Sequence, residues 1–191
     1  MKCVKIVKKI AITGLLLSFF STVIQADALD YDFVEFGFTT LNTNQEQTNF
    51  NGVDLRWNYS LGDAFYIGGD SFRADLNNSI EKKEINTMGL GYRFNITNKS
   101  TVFTKLDWVV VDPKGHDNHE HGAELSGGIR TNITERLELL GSLKRLETSS
   151  FKMTRFVVGA TYQLSKRYSV YSDIQAESDS TRFTIGARYS F

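Results

Sequence analysis

Alternation of apolar and polar residues with a period of two runs along almost the whole sequence after residue 26. Val53, Leu55 and Trp57, for example, alternate with Asp54 and Arg56. Because successive side chains of a strand point to opposite faces, this pattern predicts strands with two unlike faces. We predict ten strands, near residues 30–40, 50–59, 64–74, 85–95, 101–111, 122–131, 136–146, 152–162, 168–177 and 181–191.

A repeated short connection supports this strand count. Each copy has an aliphatic residue, then a small residue, then polar residues, and the copies are spaced by 35, 37 and 31 positions. Longer polar loops lie between them, so the repeat corresponds to one up-and-down pair of strands. The aliphatic residues of the four copies are Leu61, Ile96, Ile133 and Leu164.

The segment 135–147 is ambiguous, because its leucines could also line one face of a helix. The repeat favours a strand here. Leu137 and Leu139 fall at the positions that Phe65 and Ile67 occupy after the first short connection.

The first 26 residues have the plan of a secretory signal peptide. Basic residues precede a 15-residue apolar run at positions 10–24, and small residues follow it. The run is short for a membrane-spanning helix, which needs about 20 apolar residues. We therefore expect cleavage after Ala26 and a single domain at residues 27–191. Cys3, the only cysteine, would be removed with the signal peptide.

The net charge of residues 27–191 bears on whether the protein binds nucleic acid. These residues include 22 acidic and 18 basic side chains, a formal net charge of −4. This mild acidity does not favour nucleic acid as a partner. We also expect no cofactor.

The polar face of the predicted strands combines long charged side chains with many glycines. Glycine weakens a strand on a solvated face, but in a narrow lumen it leaves room for large neighbours. The polar face is therefore predicted to point inward. Its charged residues are Glu35, Asp54, Arg56, Arg93, Lys105, Asp107, Glu124, Arg130, Glu138, Lys144, Arg155, Asp173, Arg182 and Arg188.

Aromatic residues cluster beside the short connections and at the C-terminus, as in the aromatic belt of a membrane interface. Strands of 10 to 11 residues also match a tilted span of the bilayer. The predicted fold is all-β, a closed antiparallel up-and-down transmembrane β-barrel with ten strands, or with eight as the alternative. The belt residues are Tyr59, Phe65, Tyr92, Phe94, Tyr162, Tyr168, Tyr189 and Phe191.

The signal peptide, the glycine-rich alternating hairpins and the terminal "RFTIGARYSF" resemble the outer-membrane protein β-barrel family. The resemblance is to its porin-like group, which includes opacity and Ail-type surface proteins. It implies a monomer in the outer membrane of a Gram-negative bacterium. The implied partners are outer-membrane lipids, periplasmic chaperones and the barrel-assembly machinery. It also implies that Tyr189 and Phe191 form the assembly signal. Family members usually have eight strands and longer loops.

One predicted loop contains a candidate metal site. His116, His119 and His121 lie within six residues, together with Asp117 and Glu120. Imidazole and carboxylate groups can bind Zn²⁺, Ni²⁺ or Cu²⁺. The alternative is a solvated polar loop whose histidines are neighbours by chance.

We expect a non-enzymatic function, because a hydrolase needs a nucleophile with a positioned base and all three histidines lie on that one loop. The predicted function is a structural or surface-exposed membrane protein whose lumen is filled by charges. The main alternative is a low-conductance, porin-like channel for small solutes. A soluble binding barrel is a third possibility.

Overall fold

The computed structural model describes residues 29–43, 48–76, 82–113 and 120–191. These residues form ten strands, and among them no helix is long and apolar enough to cross a membrane. The predicted signal peptide lies outside the described residues. The strands are β1 Phe33–Thr43, β2 Thr48–Ser60, β3 Phe65–Leu76, β4 Lys82–Asn95, β5 Ser100–Pro113, β6 Glu120–Asn132, β7 Leu137–Thr148, β8 Lys152–Gln163, β9 Tyr168–Ala176 and β10 Ser180–Ser190.

Every strand pairs antiparallel with its neighbour in sequence, and β1 pairs with β10 to close the barrel. The closing register runs from Phe33 opposite Ser190 to Thr43 opposite Ser180. Closure leaves no edge strand with unpaired backbone groups. The predicted all-β, up-and-down barrel is confirmed, with ten strands and not eight.

The four predicted short connections are turns at one end of the barrel, which we call the short-turn end. In each, the repeated aliphatic residue donates its backbone N–H to the carbonyl four residues later, at 2.8 to 2.9 Å. Gly62, in the first turn, has a φ of 108°, which side-chain-bearing residues rarely adopt. The opposite end of the barrel is called the outer end. The four bonds join Leu61 to Phe65, Ile96 to Ser100, Ile133 to Leu137 and Leu164 to Tyr168.

The ambiguous leucine-rich segment is strand β7, as the repeat predicted. Leu139 and Leu143 point outward and are exposed, whereas Leu146 points inward and is buried. A period of two, and not a helical stripe, therefore describes these leucines.

The outer face of the barrel is apolar around its middle and aromatic toward the short-turn end. Phe38, Met88 and Trp108 are among its most exposed large side chains. The aromatic residues of the belt meet across adjacent strands, with ring centroids 5.2 Å apart for Phe65 and Tyr92. An exposed apolar band with an aromatic girdle is the outer surface of a barrel that faces lipid.

Glycines on the inner face accommodate two large aromatic rings. A Cβ atom at Gly91 would overlap the ring of Tyr66. Tyr171 lies in the same way over Gly37 and Gly186, on β1 and β10. The absence of a side chain at these positions therefore gives the rings their space inside the barrel.

Candidate functional site in the barrel interior

The interior of the barrel contains a large group of charged side chains. The fourteen charged residues that the alternation predicts on the inner face occupy inward positions of their strands, and their side chains are buried or half-buried. On the five strands from β1 to β5 these are Glu35, Asp54, Arg56, Arg93, Lys105 and Asp107. On the other strands they are Glu124, Arg130, Glu138, Lys144, Arg155, Asp173, Arg182 and Arg188.

Arg56 lies at the centre of the charged interior. Its guanidinium is 2.5 Å from the carboxylate of Asp54 and 2.6 Å from that of Asp173. It is also 3.7 Å from Glu35 and 3.6 Å from Asp70. Asp173 is on β9, which β1 and β10 separate from β2. This one planar, multidentate side chain therefore links four strands across the lumen.

A second group of ion pairs lies toward the short-turn end. Arg130 donates to Glu138 with an N–O distance of 2.8 Å. Arg188 lies 3.6 Å from Glu138 and 2.6 Å from Glu35. Because Glu35 also faces Arg56, Arg188 connects this group with the central one.

A third group lies toward the outer end. Arg155 donates a hydrogen bond to Glu124, and the ammonium of Lys144 lies 3.5 Å from the same carboxylate. Arg182 is 3.9 Å from Asp54. Charges buried in this way require partners, because an unpaired charge in a closed interior costs several kcal/mol.

Asp70 is an interior carboxylate that the sequence analysis missed. It lies on the inward side of β3 and also approaches Lys144, at 4.0 Å. The signal was present, because Phe65 and Ile67 mark the odd-numbered residues of this strand as outward-facing. The even-numbered residues, Asp70 among them, must then point inward.

The solvent-accessible part of this network is mainly basic. The side chains of Lys144, Arg56 and Lys105 are 22 %, 17 % and 13 % exposed. The carboxylates of Asp54 and Glu124, in contrast, are at most 2 % exposed. Asp70 and Glu138 are acids with an exposure comparable to that of the bases. The lumen therefore presents more positive than negative charge, although the two nearly balance in number.

The residues before β1 fold into the short-turn end of the lumen. The ring of Tyr31 lies 4.3 Å from the guanidinium of Arg130 and 4.6 Å from that of Arg93. It also packs against Tyr66, with ring centroids 5.0 Å apart. Burial raises the pKa of the Tyr31 hydroxyl, so the group is neutral and its ring face meets the two cations. This segment narrows the lumen at the short-turn end.

The interior cavities become smaller toward the outer end. A cavity of about 170 Å³ near the short turns is lined by Glu138 and Arg188, among others. One of about 140 Å³ follows in the middle, lined in part by Arg56 and Lys144. The next, between Lys144 and Phe72, measures only about 10 Å³.

Beyond this small cavity lies a cluster of buried apolar side chains. Seven buried side chains pack together there, and Phe50 and Met153 pack against them from β2 and β8. We call these seven residues the outer apolar cluster. The alternation pattern alone does not predict this cluster. The outer apolar cluster consists of Leu41, Phe72, Ala74, Ile85, Val109, Val111 and Leu146.

The polarity of the two faces is reversed at the height of the outer apolar cluster. Leu146 points inward between Arg145 and Glu147, whose side chains are 46 % and 50 % exposed on the outer surface. Phe72 likewise precedes the exposed Arg73. An apolar interior under a polar surface is the arrangement of a water-soluble core. The outer surface at the outer end is therefore suited to contact with water, whereas the apolar band nearer the short turns is suited to contact with lipid.

The candidate metal loop lies mostly outside the described residues, which leaves the metal site a prediction. His116 and His119 are not described. His121 is on β6, exposed on the outer face, with its ring 5.6 Å from that of Trp108. The described part of the chain contains no group of three or more His, Cys, Asp or Glu side chains that could hold a metal ion.

The two residues of the expected assembly signal lie together on the outer face at the short-turn end. Tyr189 is on β10, and Phe191 follows the strand. Their rings are 6.4 Å apart, and that of Phe191 also stacks on Tyr59 of β2 at 6.4 Å. The backbone N–H of Phe191 donates to the backbone carbonyl of Asp32, the residue just before β1, at 3.2 Å.

A closed, ten-stranded, up-and-down barrel with an apolar outer band and a charged lumen has the fold of an outer-membrane β-barrel. Among solved structures, the chain is similar to the KdgM porin in complex with disordered oligogalacturonate. The two are 16% identical, with a TM-score of 0.53, over 83% of this chain and 99% of that chain. This likeness shows the fold.

Two further barrels resemble the chain more distantly. The outer membrane protein OprG from Pseudomonas aeruginosa is 12% identical, with a TM-score of 0.46 over 87% of this chain and 99% of that chain. The NanC porin is 9% identical, with a TM-score of 0.48 over 83% of this chain and 99% of that chain. No protein-family model and no curated protein matches the sequence.

Proposed function

We propose that the protein is a structural or surface-exposed membrane protein of the Gram-negative outer membrane, without enzymatic activity and with a closed lumen. The outer apolar cluster carries this proposal, because its buried side chains pack together in the interior beyond the cavity of about 10 Å³. A ten-stranded barrel is only slightly wider than those whose side chains fill the lumen completely. Ion pairs and apolar side chains together occupy this one.

The proposed orientation places the short-turn end in the periplasm. Both Leu29, the first described residue, and Phe191 lie at that end, as expected for an even number of strands. The polar outer end then faces the outside of the cell. The proposed partners are outer-membrane lipids for the apolar band, and periplasmic chaperones with the barrel-assembly machinery during insertion. The closed sheet suits a monomer.

Conductance measurements test the closed lumen. Purified barrel whose folding is confirmed by heat modifiability would be inserted into planar bilayers, with a known porin as the positive control. We expect no resolved current steps from this protein, because the outer apolar cluster blocks the lumen. Reproducible steps from the wild-type barrel would refute the closed-lumen proposal.

The second candidate function is a low-conductance channel for small solutes. It is favoured by the two larger cavities, which lie on the short-turn side of the outer apolar cluster. The exposed bases of the lumen would favour anions, and the similar KdgM porin was solved in complex with disordered oligogalacturonate. If steps are recorded, a reversal potential in a KCl gradient that shows anion preference would support this candidate.

No histidine lines the interior cavities within the described residues. His121, the one histidine described, projects from the outer face of β6. The cavities are lined instead by carboxylates that pair with arginine and lysine. The non-enzymatic part of the proposal rests on this arrangement.

A further inference from the structure

We propose that the outer apolar cluster is a hydrophobic gate, and that the lumen beneath it is able to conduct ions once the gate is made polar. The inference goes beyond the proposed function, because it assigns the closed state to one layer of side chains. The charged network below the cluster would then be a lining and not a plug.

The composition of the cluster is the first argument. The interior holds paired charges from the short turns up to Glu124, Arg155 and Arg182, and these three line the last small cavity. The apolar cluster begins beside them, where the guanidinium of Arg182 lies 4.5 Å from the ring of Phe72. An apolar constriction blocks ions by excluding the water that hydrates them.

The position of the cluster is the second argument. Its height coincides with the exposed Arg73, Arg145 and Glu147 on the outer surface. Contact with lipid therefore does not explain its polarity. Each of its members faces the lumen axis from an inward position of β1, β3, β4, β5 or β7. The cluster, with Phe50 and Met153 packed against it, is a seal to which seven of the ten strands contribute.

The lumen on the short-turn side of the seal contains neighbouring cavities and partly exposed charges. Cavities of about 140 and 170 Å³ share the lining residues Thr161 and Arg188, so they are neighbours along the axis. Lys144 and Arg56 retain side-chain exposure in this space. Lys144 also lines the small cavity beside the cluster, where Arg155 and Glu124 are at most 5 % exposed, so the cluster closes a lumen that already narrows toward it.

Leu146→Ser is the principal test. Leu146 is fully buried in the seal, and a hydroxyl in its place would admit water. Val109→Ser removes a second fully buried member, and the double variant removes both. We expect resolved current steps in planar bilayers where the wild-type barrel gives none, with the highest step frequency in the double variant.

Leu140→Ser is the matched control. Leu140 lies on the inward side of the same strand, six residues earlier, and lines the 140 Å³ cavity below the seal. The same substitution there should give no current steps in planar bilayers. All variants would be compared at equal amounts of heat-modifiable, folded protein.

The outcomes separate the two proposals. Steps from Leu146→Ser but not from Leu140→Ser support the gate. Silence of the folded single and double seal variants overturns the gate but leaves the structural, closed-lumen function standing. Equal conduction by both leucine variants also overturns the gate, since the seal would then have no special role. Conduction by the wild-type barrel overturns the closed-lumen function.

Discussion

Gly91 shows how strongly one inner-face position constrains the sequence. Replacement by alanine would add a methyl group that overlaps the ring of Tyr66, which is itself packed against Tyr31. Overpacking of this kind costs about 1–3 kcal/mol. We expect Gly91→Ala to lower the free energy of unfolding by that amount, measured by denaturant unfolding of the barrel in lipid vesicles.

Gly141 provides the control for this substitution. It lies on the outer face of β7, where an added Cβ would meet nothing within 4 Å. Loss of glycine's backbone freedom stabilises by about 0.4–1 kcal/mol when the new side chain fits. Gly141→Ala should therefore be neutral or stabilising. Equal destabilisation of the two variants would show that the Tyr66 contact is not the cause.

The alternation predicts which face of the barrel a charged residue occupies, but not which residue it forms an ion pair with. Arg56 and Asp173 are separated by 117 positions, and they meet only because the barrel closes with one particular register. The outer apolar cluster was missed for a related reason. Val109, Val110 and Val111 are all apolar, so in this stretch the sequence does not distinguish the inward face from the outward one.

Strand β10 is the element that closes the barrel and ends the chain. In barrels that the sequence resembles, the terminal aromatic residue is part of the signal for assembly. We therefore expect Phe191→Ala to reduce the amount of heat-modifiable, folded protein in the outer membrane. The measurement compares folded and unfolded bands of the membrane fraction at equal expression.

Phe183→Ala is the matched control for the terminal residue. Phe183 lies on the same outward face of β10 and is exposed to a similar extent, 43 % against 56 % for Phe191. A general loss of apolar surface would affect both variants alike. If the two variants insert equally well, the special role of the C-terminus is wrong.

The elements themselves were predictable because each of them has a period of two and is bounded by turns. The sequence of β7 alone does not distinguish a strand from a helix, since its leucines also fit a helical stripe. The turn repeat decided its assignment correctly, because Ile133 makes the same backbone hydrogen bond as Leu61. The repeated turn therefore identifies β7 as a strand, which its local sequence pattern does not.

For the molecule as a whole, the proposed orientation can be tested with single cysteines. Cys3 is the only cysteine, so the chain without its predicted signal peptide has none. Ser149→Cys lies in an exposed turn at the outer end, and Asn98→Cys in an exposed turn at the short-turn end. A membrane-impermeant maleimide should label Ser149→Cys in intact cells, and Asn98→Cys only after the outer membrane is permeabilised. The opposite pattern would invert the proposed topology.

The reversed polarity of the outer end also has a kinetic consequence. Arg73, Arg145 and Lys152 project outward beyond the apolar band. A basic side chain on the lipid face of a barrel costs about 2–4 kcal/mol at the bilayer midplane. In the proposed orientation, sliding back toward the periplasm would draw all three through hydrocarbon. In that orientation, the polar outer end crosses the membrane once, during insertion. Afterwards the cost of burying its charges in lipid resists extraction of the barrel.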